Sequence, residues 1–398
     1  MLLAMTILLV SGAYFFLGSA SIARNAIERD RITARALAQA KDALIGYAVT
    51  YAASHAGMVN GYLPCPDLSG TAVGGEGGAE GNCGARNVSA IGKLPWKTLD
   101  LPPLKDGSGE CLWYAVSGTY KNSPDSYFMD WDSDGLFQVM ASDGVSFLAG
   151  STPGNRAVAV VFAPGIAKGA QRRIAASATP SCGGNYMPAN YLDNDTVHGI
   201  DNAAVSAIAN AVARFILGPV RDAFGNTIVN DRLITVTRED IFNALKKRSD
   251  FADFVDTSLL NTASSCLSGT LPAPITINFD TMSETAGSSV GDLVTGRIPF
   301  LACTDNAVRK WRDNLLYATC APGTQCLKVN GSDCSGIVIF AGERNASQNR
   351  DTNAQKNDWS NYLEGDVYTA FTAGSAAFSG NSAYSAISPA SDVLACLP

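Results

Sequence analysis

The run Asp130-Trp131-Asp132-Ser133-Asp134-Gly135 has the spacing in this chain best suited to chemistry. Carboxylates at the first, third and fifth positions of a loop, with glycine at the sixth, form the front half of a calcium loop, because glycine permits the turn that lets alternate side chains converge. Calcium is the cofactor this pattern would take, with Asp130, Asp132 and Asp134 as its ligands. The bidentate acid that closes such a loop is missing: Ala141 occupies its place and Asp143 follows two residues later. A second reading of the same residues is a β-turn, Ser133-Asp134-Gly135, feeding a strand that starts at Leu136. Sequence alone leaves both open.

Catalysis has less to draw on. The chain has two histidines: His55 ends a long helical stretch, and His198 lies between Asp195 and Asp201, neither within a nucleophile motif. Gly74-Gly75-Glu76-Gly77-Gly78 lacks the lysine and the strand–helix setting of a phosphate loop. Glu239-Asp240 falls in the first turn of an expected helix, where the dipole favours carboxylates. Asp222-Ala223-Phe224-Gly225-Asn226 is explained by a turn before a strand. These features point away from an enzyme. A formal net charge of −7, with no basic block longer than Lys246-Lys247-Arg248, argues against a nucleic acid as specific ligand.

Ten cysteines supply a different chemistry: Cys65, Cys83, Cys111, Cys182, Cys266, Cys303, Cys320, Cys326, Cys334 and Cys396. No Cys-x-x-Cys pair occurs and imidazole is scarce, so disulfides are favoured over zinc. Disulfides imply an oxidising compartment. Connectivity cannot be read from spacing, although Cys65 with Cys83 would close the glycine-rich loop and Cys396 would tie down the tail.

The elements that must position these groups begin with residues 1–54. From Met1 to Ala23 no side chain is charged, and from Arg24 to Ser54 there is no proline and only one glycine, Gly46. This reads as one continuous helix, about 80 Å long at the α-helical rise. Residues 1–23 are long enough to cross a membrane. The first charge is Arg24, so the basic segment that precedes an ordinary secretory signal is absent. That pattern fits a chain whose basic leader has been removed, or one trimmed at its N-terminus. Leu37, Ala40, Leu44, Tyr47, Ala48 and Tyr51 recur at helical spacing and should pack on the body.

The body reads as residues 55–250 and 251–398. Strands are expected at Leu112–Val116, Ala157–Ala163 and Arg232–Val236, with a hairpin from Leu136–Met140 and Val145–Leu148. Helices are expected at Asp201–Leu217 and at Arg238–Lys247, the second capped by Thr237. The second part repeats the first. Gly92-Lys93-Leu94-Pro95-Trp96 matches Gly296-Arg297-Ile298-Pro299-Phe300, and Leu112-Trp113-Tyr114-Ala115 matches Leu315-Leu316-Tyr317-Ala318. Val160-Val161-Phe162-Ala163, with Gln171-Arg172 after it, matches Val338-Ile339-Phe340-Ala341 with Gln348 and Arg350. Asn190-Tyr191-Leu192-Asp193 matches Asn361-Tyr362-Leu363-Glu364. Four matches in order argue for two related sheet units.

An uncharged start, a proline-free stalk past residue 50, and the motifs ALIGYAVTYA, YLPCPD, GKLPW, LWYAVSG and VVFAPG together resemble processed type IV pilins and type II secretion pseudopilins. The resemblance implies an α+β fold: a long N-terminal helical stalk, then a large, internally duplicated, pilin-like antiparallel β-sheet body with disulfides. It implies leader removal by prepilin peptidase and methylation at Met1. It implies a filament core packed by Leu2, Leu3, Met5, Ile7, Leu8, Leu9, Gly12, Phe15, Phe16 and Leu17. The partners it implies are copies of this chain or other pilins, and the pilus or secretion assembly machinery. The location is the inner membrane before assembly and an extracellular filament afterwards. Most major pilins carry glutamate at the fifth mature position; here Met5 stands there, as in some minor, tip-located subunits, which leaves open a main subunit that docks by packing alone.

Overall fold

A computed structural model describes the backbone of residues 2–398 apart from 73, 174–181, 183, 321–325 and 376, with side chains described from Arg24 onward. Met1 and the side chains of Leu2, Leu3, Met5, Ile7, Leu8, Leu9, Phe15, Phe16 and Leu17 lie outside what is described, as does any packing at Gly12. Among the described residues no helix is long and apolar enough to cross a membrane; the side chains of the uncharged run 1–23 lie outside them.

The first helix, α1, is Leu2–Ser54. From Arg24 to Arg35 its side chains are largely exposed. From Ala36 on, one stripe is buried: Ala36, Leu37, Ala40, Leu44, Ala48 and Tyr51. Steps of three and four residues keep these on a single face. The change from exposed to buried comes where the chain first meets the body, with Gly107 donating its N–H to Thr33 Oγ1 at 2.9 Å. Asn60 ends the contact by accepting the Ala52 N–H at 2.9 Å.

The fold is mixed α/β, with two large sheets. The first contains β1 (Ala90–Lys93), β2 (Trp113–Val116), β3 (Phe137–Met140), β4 (Phe147–Ala149), β5 (Ala157–Ala163), β6 (Ala213–Ile216) and β7 (Arg232–Thr237). The second contains β8 (Ile275–Asn278), β9 (Ser283–Ala286), β10 (Ser288–Val290), β11 (Leu293–Arg297), β12 (Leu315–Cys320), β13 (Gly336–Phe340) and β14 (Val393–Leu397).

Within each sheet four antiparallel strands share one register. Gly92 pairs with Tyr114, Tyr114 with Val161, and Val161 with Ile234. In the second sheet Gly296 pairs with Tyr317, Tyr317 with Val338, and Val338 with Ala395. The glycine and tyrosine matches of the two halves therefore fall on equivalent ladder positions, whereas the third match is one residue out: Val161, not Val160, takes the place of Val338. Both glycines are required by close approach: a Cβ on Gly92 would lie 2.7 Å from the Asp67 carbonyl, and one on Gly296 would lie 2.4 Å from that of Ile275. In each unit a further segment runs past the first strand at that point, Asp67 beside Lys93 and Ile275 beside Arg297.

The strand period of two places Tyr114, Val161 and Val236, and likewise Tyr317, Val338 and Phe340, on faces that meet in one shared core with Leu44 and Trp311. Trp113, Val160 and Phe162 point to the opposite face of the first sheet, and Leu316, Ile337 and Ile339 to that of the second. Burial on both faces is why AVAVVFA is continuously apolar instead of alternating.

A helix covers each ladder in the same place. The α1 helix lies on β5 and β7, and a helical segment lies on β13 and β14. That segment is α-helical at Phe251–Asp253, π-helical at Phe254–Asn261 and α-helical again at Thr262–Leu267.

The expected helix over Asp201–Leu217 is not formed. Residues Ala213–Ile216 are strand β6, paired parallel to β3. Phe215 and Ile216 are buried there, while Ile208 is 72% exposed. The Asn202 side chain accepts the Ile216 N–H at 2.8 Å and donates to its carbonyl at 3.0 Å, pinning the strand. Strand pairing and burial outweigh the helix propensity of this alanine-rich stretch. The helix after β7 forms as Arg238–Lys246 (α2), its capping box made by Thr237 and Asp240.

All ten cysteines are paired: Cys65–Cys83, Cys111–Cys182, Cys266–Cys303, Cys320–Cys326 and Cys334–Cys396. The two ties that the sequence suggested, across the glycine-rich loop and at the tail, are both present.

Candidate functional site

A single polar network occurs twice, once in each unit. In the first, Arg173 donates from Nη1 to the Gly165 carbonyl, from Nε to that of Asn190 and from Nη2 to Gln171 Oε1, at 2.6, 3.1 and 2.8 Å. In the second, Arg350 donates from Nη1 to Gly342, from Nε to Asn361 and from Nη2 to Gln348 Oε1, at 3.1, 2.5 and 3.2 Å. Gln171 Nε2 then donates to Asp193 Oδ1 at 3.0 Å, and Gln348 Nε2 to Glu364 Oε1 at 2.6 Å. The guanidinium lies over Tyr191 in one unit and over Tyr362 in the other. The partner of Arg350 is thus Arg173, one residue beyond the Arg172 that the motif alignment suggested.

In the second unit this network reaches across to the first. Arg350 Nη1 also donates to Asp132 Oδ2 at 2.8 Å. Arg344 Nε stands 3.3 Å from Asp132 Oδ1 and donates from Nη1 to Asp351 at 2.7 Å. Asp134 accepts from Arg238 at 2.9 Å, and the Trp131 indole N–H donates to Asn314 Oδ1 at 2.9 Å. Behind these, Asp313 accepts from Arg297, Tyr362 and Lys356.

The Asp130–Gly135 segment is therefore a seam clamp. Its turn is closed internally, with Asp130 Oδ1 accepting the Asp132 N–H at 2.9 Å and the Ser133 hydroxyl at 3.1 Å. Asp132 is met by Arg344 and Arg350 of the following unit, and Asp134 by Arg238 of its own. Among the described residues no group of three or more His, Cys, Asp or Glu side chains is arranged to hold a metal ion. Asp132 is taken up by Arg344 and Arg350 and Asp134 by Arg238, and the turn spans Asp130–Ser133, where the Ser133 N–H donates to the Asp130 carbonyl at 3.1 Å, rather than Ser133–Gly135.

Burial sets the three aspartates apart. Asp132 would be raised by burial, but Arg350, Arg344, Lys356 and Arg238 overcome this and hold it at about 2. Asp130 is pushed up to about 7 by burial and then by Asp313, and Asp134 up to about 6 by burial despite Arg238. The Asp132 shift is worth about 2–3 kcal/mol, at about 1.4 kcal/mol per pH unit. Because the folded-state value is depressed, that stability is present above pH 4 and lost as the pH falls toward 2. Urea unfolding between pH 5 and 2.5 should show this loss in the native chain, and Asp132→Asn should remove that component.

The remaining sequence candidates stand elsewhere. His198 Nδ1 is 2.6 Å from Asp195 Oδ2, and His55 stacks on Tyr51. Asp222 closes a hairpin turn by accepting the N–H groups of Phe224 and Asn226, leaving Phe224 exposed at the tip. Gly287-Ser288-Ser289-Val290-Gly291 spells a nucleophile-elbow sequence. Ser289 sits in strand β10 opposite Val294, not on the strand-to-helix turn that such chemistry uses. A cleft of about 690 Å³ opens where α1 and α2 end beside the π-helical run, walled by Ala52, Leu245, Phe254 and Trp311. Its Arg248 and Asp250 pair with each other at 2.6 Å.

No family model, curated protein or solved structure matches this chain.

Proposed function

We propose that this chain is a structural subunit of a type IV pilus-like filament, polymerising through its N-terminal helix with the body outward. The observation that carries this reading is the division of residues 1–54 into three parts. Residues 1–23 have no charge, residues 24–35 are charged and exposed, and the stripe from Ala36 to Tyr51 is buried in the body. An uncharged apolar segment of this length is suited to pack against copies of itself. Small residues in it, Gly12, Gly18 and Ala20 among them, allow close helix approach.

On this reading the chain is held in the inner membrane by residues 1–23, loses a leader to prepilin peptidase, and is passed by the assembly machinery into an extracellular filament. Five disulfides fit an oxidising compartment. No catalytic role is assigned to the body.

Met5 favours a second reading, a minor tip or initiating subunit whose duplicated body binds a surface or a secreted substrate. Without a glutamate there, no charged pair at that position can set the register between neighbouring helices. Deleting residues 2–23 should abolish incorporation into sedimentable surface filaments while the disulfide-bonded body still folds. Filaments assembled from the truncated chain would refute helix-driven assembly.

A further inference from the structure

The strand that closes each ladder, β7 or β14, is preceded by an aspartate, Asp231 or Asp392. Asp231 accepts the Asp193 backbone N–H at Oδ2, at 2.8 Å, and Asp392 accepts that of Glu364 at Oδ2, at 3.2 Å. Asp193 and Glu364 are the carboxylates that end the repeated Arg–Gln network. Each unit thus seats the backbone of one acidic residue on the buried carboxyl of a second at the head of its closing strand, near enough for the two carboxyl groups to act on each other. Asp231 and Asp392 are buried, and in both the Oδ1 atom is enclosed without a hydrogen-bond partner. An ionised oxygen enclosed without a donor is costly, whereas a protonated one beside a second carboxylate is a donor with an acceptor at hand.

We propose that each closing strand is latched by a carboxyl pair sharing one proton, Asp193 with Asp231 and Glu364 with Asp392, and that release of these protons in alkaline solution loosens β7 and β14. The proposal stands whether or not the chain forms filaments.

The groups facing each pair are few. Asp231 faces Asp193, the Asn202 amide and, further off, Arg173; Asp193 faces Gln171, Lys168, Arg173 and the Asn230 N–H. Asp392 faces Glu364, the Gly342 N–H and Arg350; Glu364 faces Gln348, Asn345 and Arg350. Both arginines spend their donors on carbonyls and on the glutamine, and Arg350 also on Asp132, so neither pair has a guanidinium bonded to it.

Burial and the neighbouring carboxyl hold Asp392 up at about 8 and Asp231 well above the usual carboxylate range. In the unfolded chain both would release their protons near pH 4. The folded state therefore binds the extra protons, and this contribution is complete below pH 4 and lost as the pH rises toward about 8.

The test is thermal unfolding of the full chain from pH 5 to 9.5, comparing wild type with Asp231→Asn/Asp392→Asn. Asparagine keeps a donor and an acceptor without the titration. The wild type should lose Tm across this range, and the variant should lose less, so that the difference between them shifts in the variant's favour as pH rises. Parallel profiles with a constant offset would overturn the proposal. Hydrogen exchange on the wild type keeps the question answerable if the variant does not fold. Protection of amides in β7 and β14 should fall at least tenfold relative to β2 and β12 between pH 6 and 9, about one decade per pH unit of unbalanced proton release. Unchanged relative protection would also overturn it.

Discussion

Replacing Arg350 by alanine should destabilise the chain by about 3–5 kcal/mol, the cost of leaving a buried charge without its partner. Arg350 is fully buried and bonds to Asp132, Asn314 Oδ1, the Gly342 and Asn361 carbonyls and Gln348. Its removal leaves Asp132 with Arg344 alone, at the junction between the two units. Arg350→Lys should recover only part of the loss, because one ammonium cannot serve carbonyls and carboxylate in the directions the planar fork reaches. Pairing Arg350→Met with Asp132→Leu should recover more, since the charge left behind is the larger cost. Denaturant unfolding of the three variants measures this order. A loss below about 1 kcal/mol for Arg350→Ala would place the pair among ordinary surface ion pairs.

Removing the Cys334–Cys396 disulfide should also have a large effect. The bond closes a separation of 62 residues and fixes β14, whose Leu397 reaches the shared core. Chain entropy alone assigns such a loop about 4 kcal/mol, against about 2 kcal/mol for a loop as short as that of Cys320–Cys326. Cys334→Ser/Cys396→Ser should therefore lower Tm by clearly more than Cys320→Ser/Cys326→Ser. The reverse order would mean that strand pairing with β13 already holds β14 without the covalent tie.

Local patterns were legible in the sequence. AVAVVFA reads as a buried strand, and Thr237 with Asp240 announced the start of α2. The repeat was legible because ladder register depends on glycine and tyrosine at fixed positions. Long-range partners were not. Nothing near Asp132 in sequence points to Arg350, since the pair is 218 residues apart, and an aspartate triplet reads the same whether an ion or an arginine neutralises it. The stretch from Asp201 to Leu217 misled for the same reason: its alanines favour helix locally, while the strand that receives Phe215 and Ile216 lies far back in the chain, at Phe137–Met140. The equivalence of Arg173 with Arg350 could have been found by sliding the alignment one residue, but only the shared carbonyl partners identify it.

Electron microscopy of surface filaments from cells expressing the full chain tests the account most directly. The proposal predicts a continuous helical lattice of this chain, with residues 1–23 packed along the axis and both sheet units outside. A single copy at the filament tip would favour the minor-subunit reading. Filaments that lack this chain altogether, or that keep residues 1–23 out of the core, would contradict the proposal.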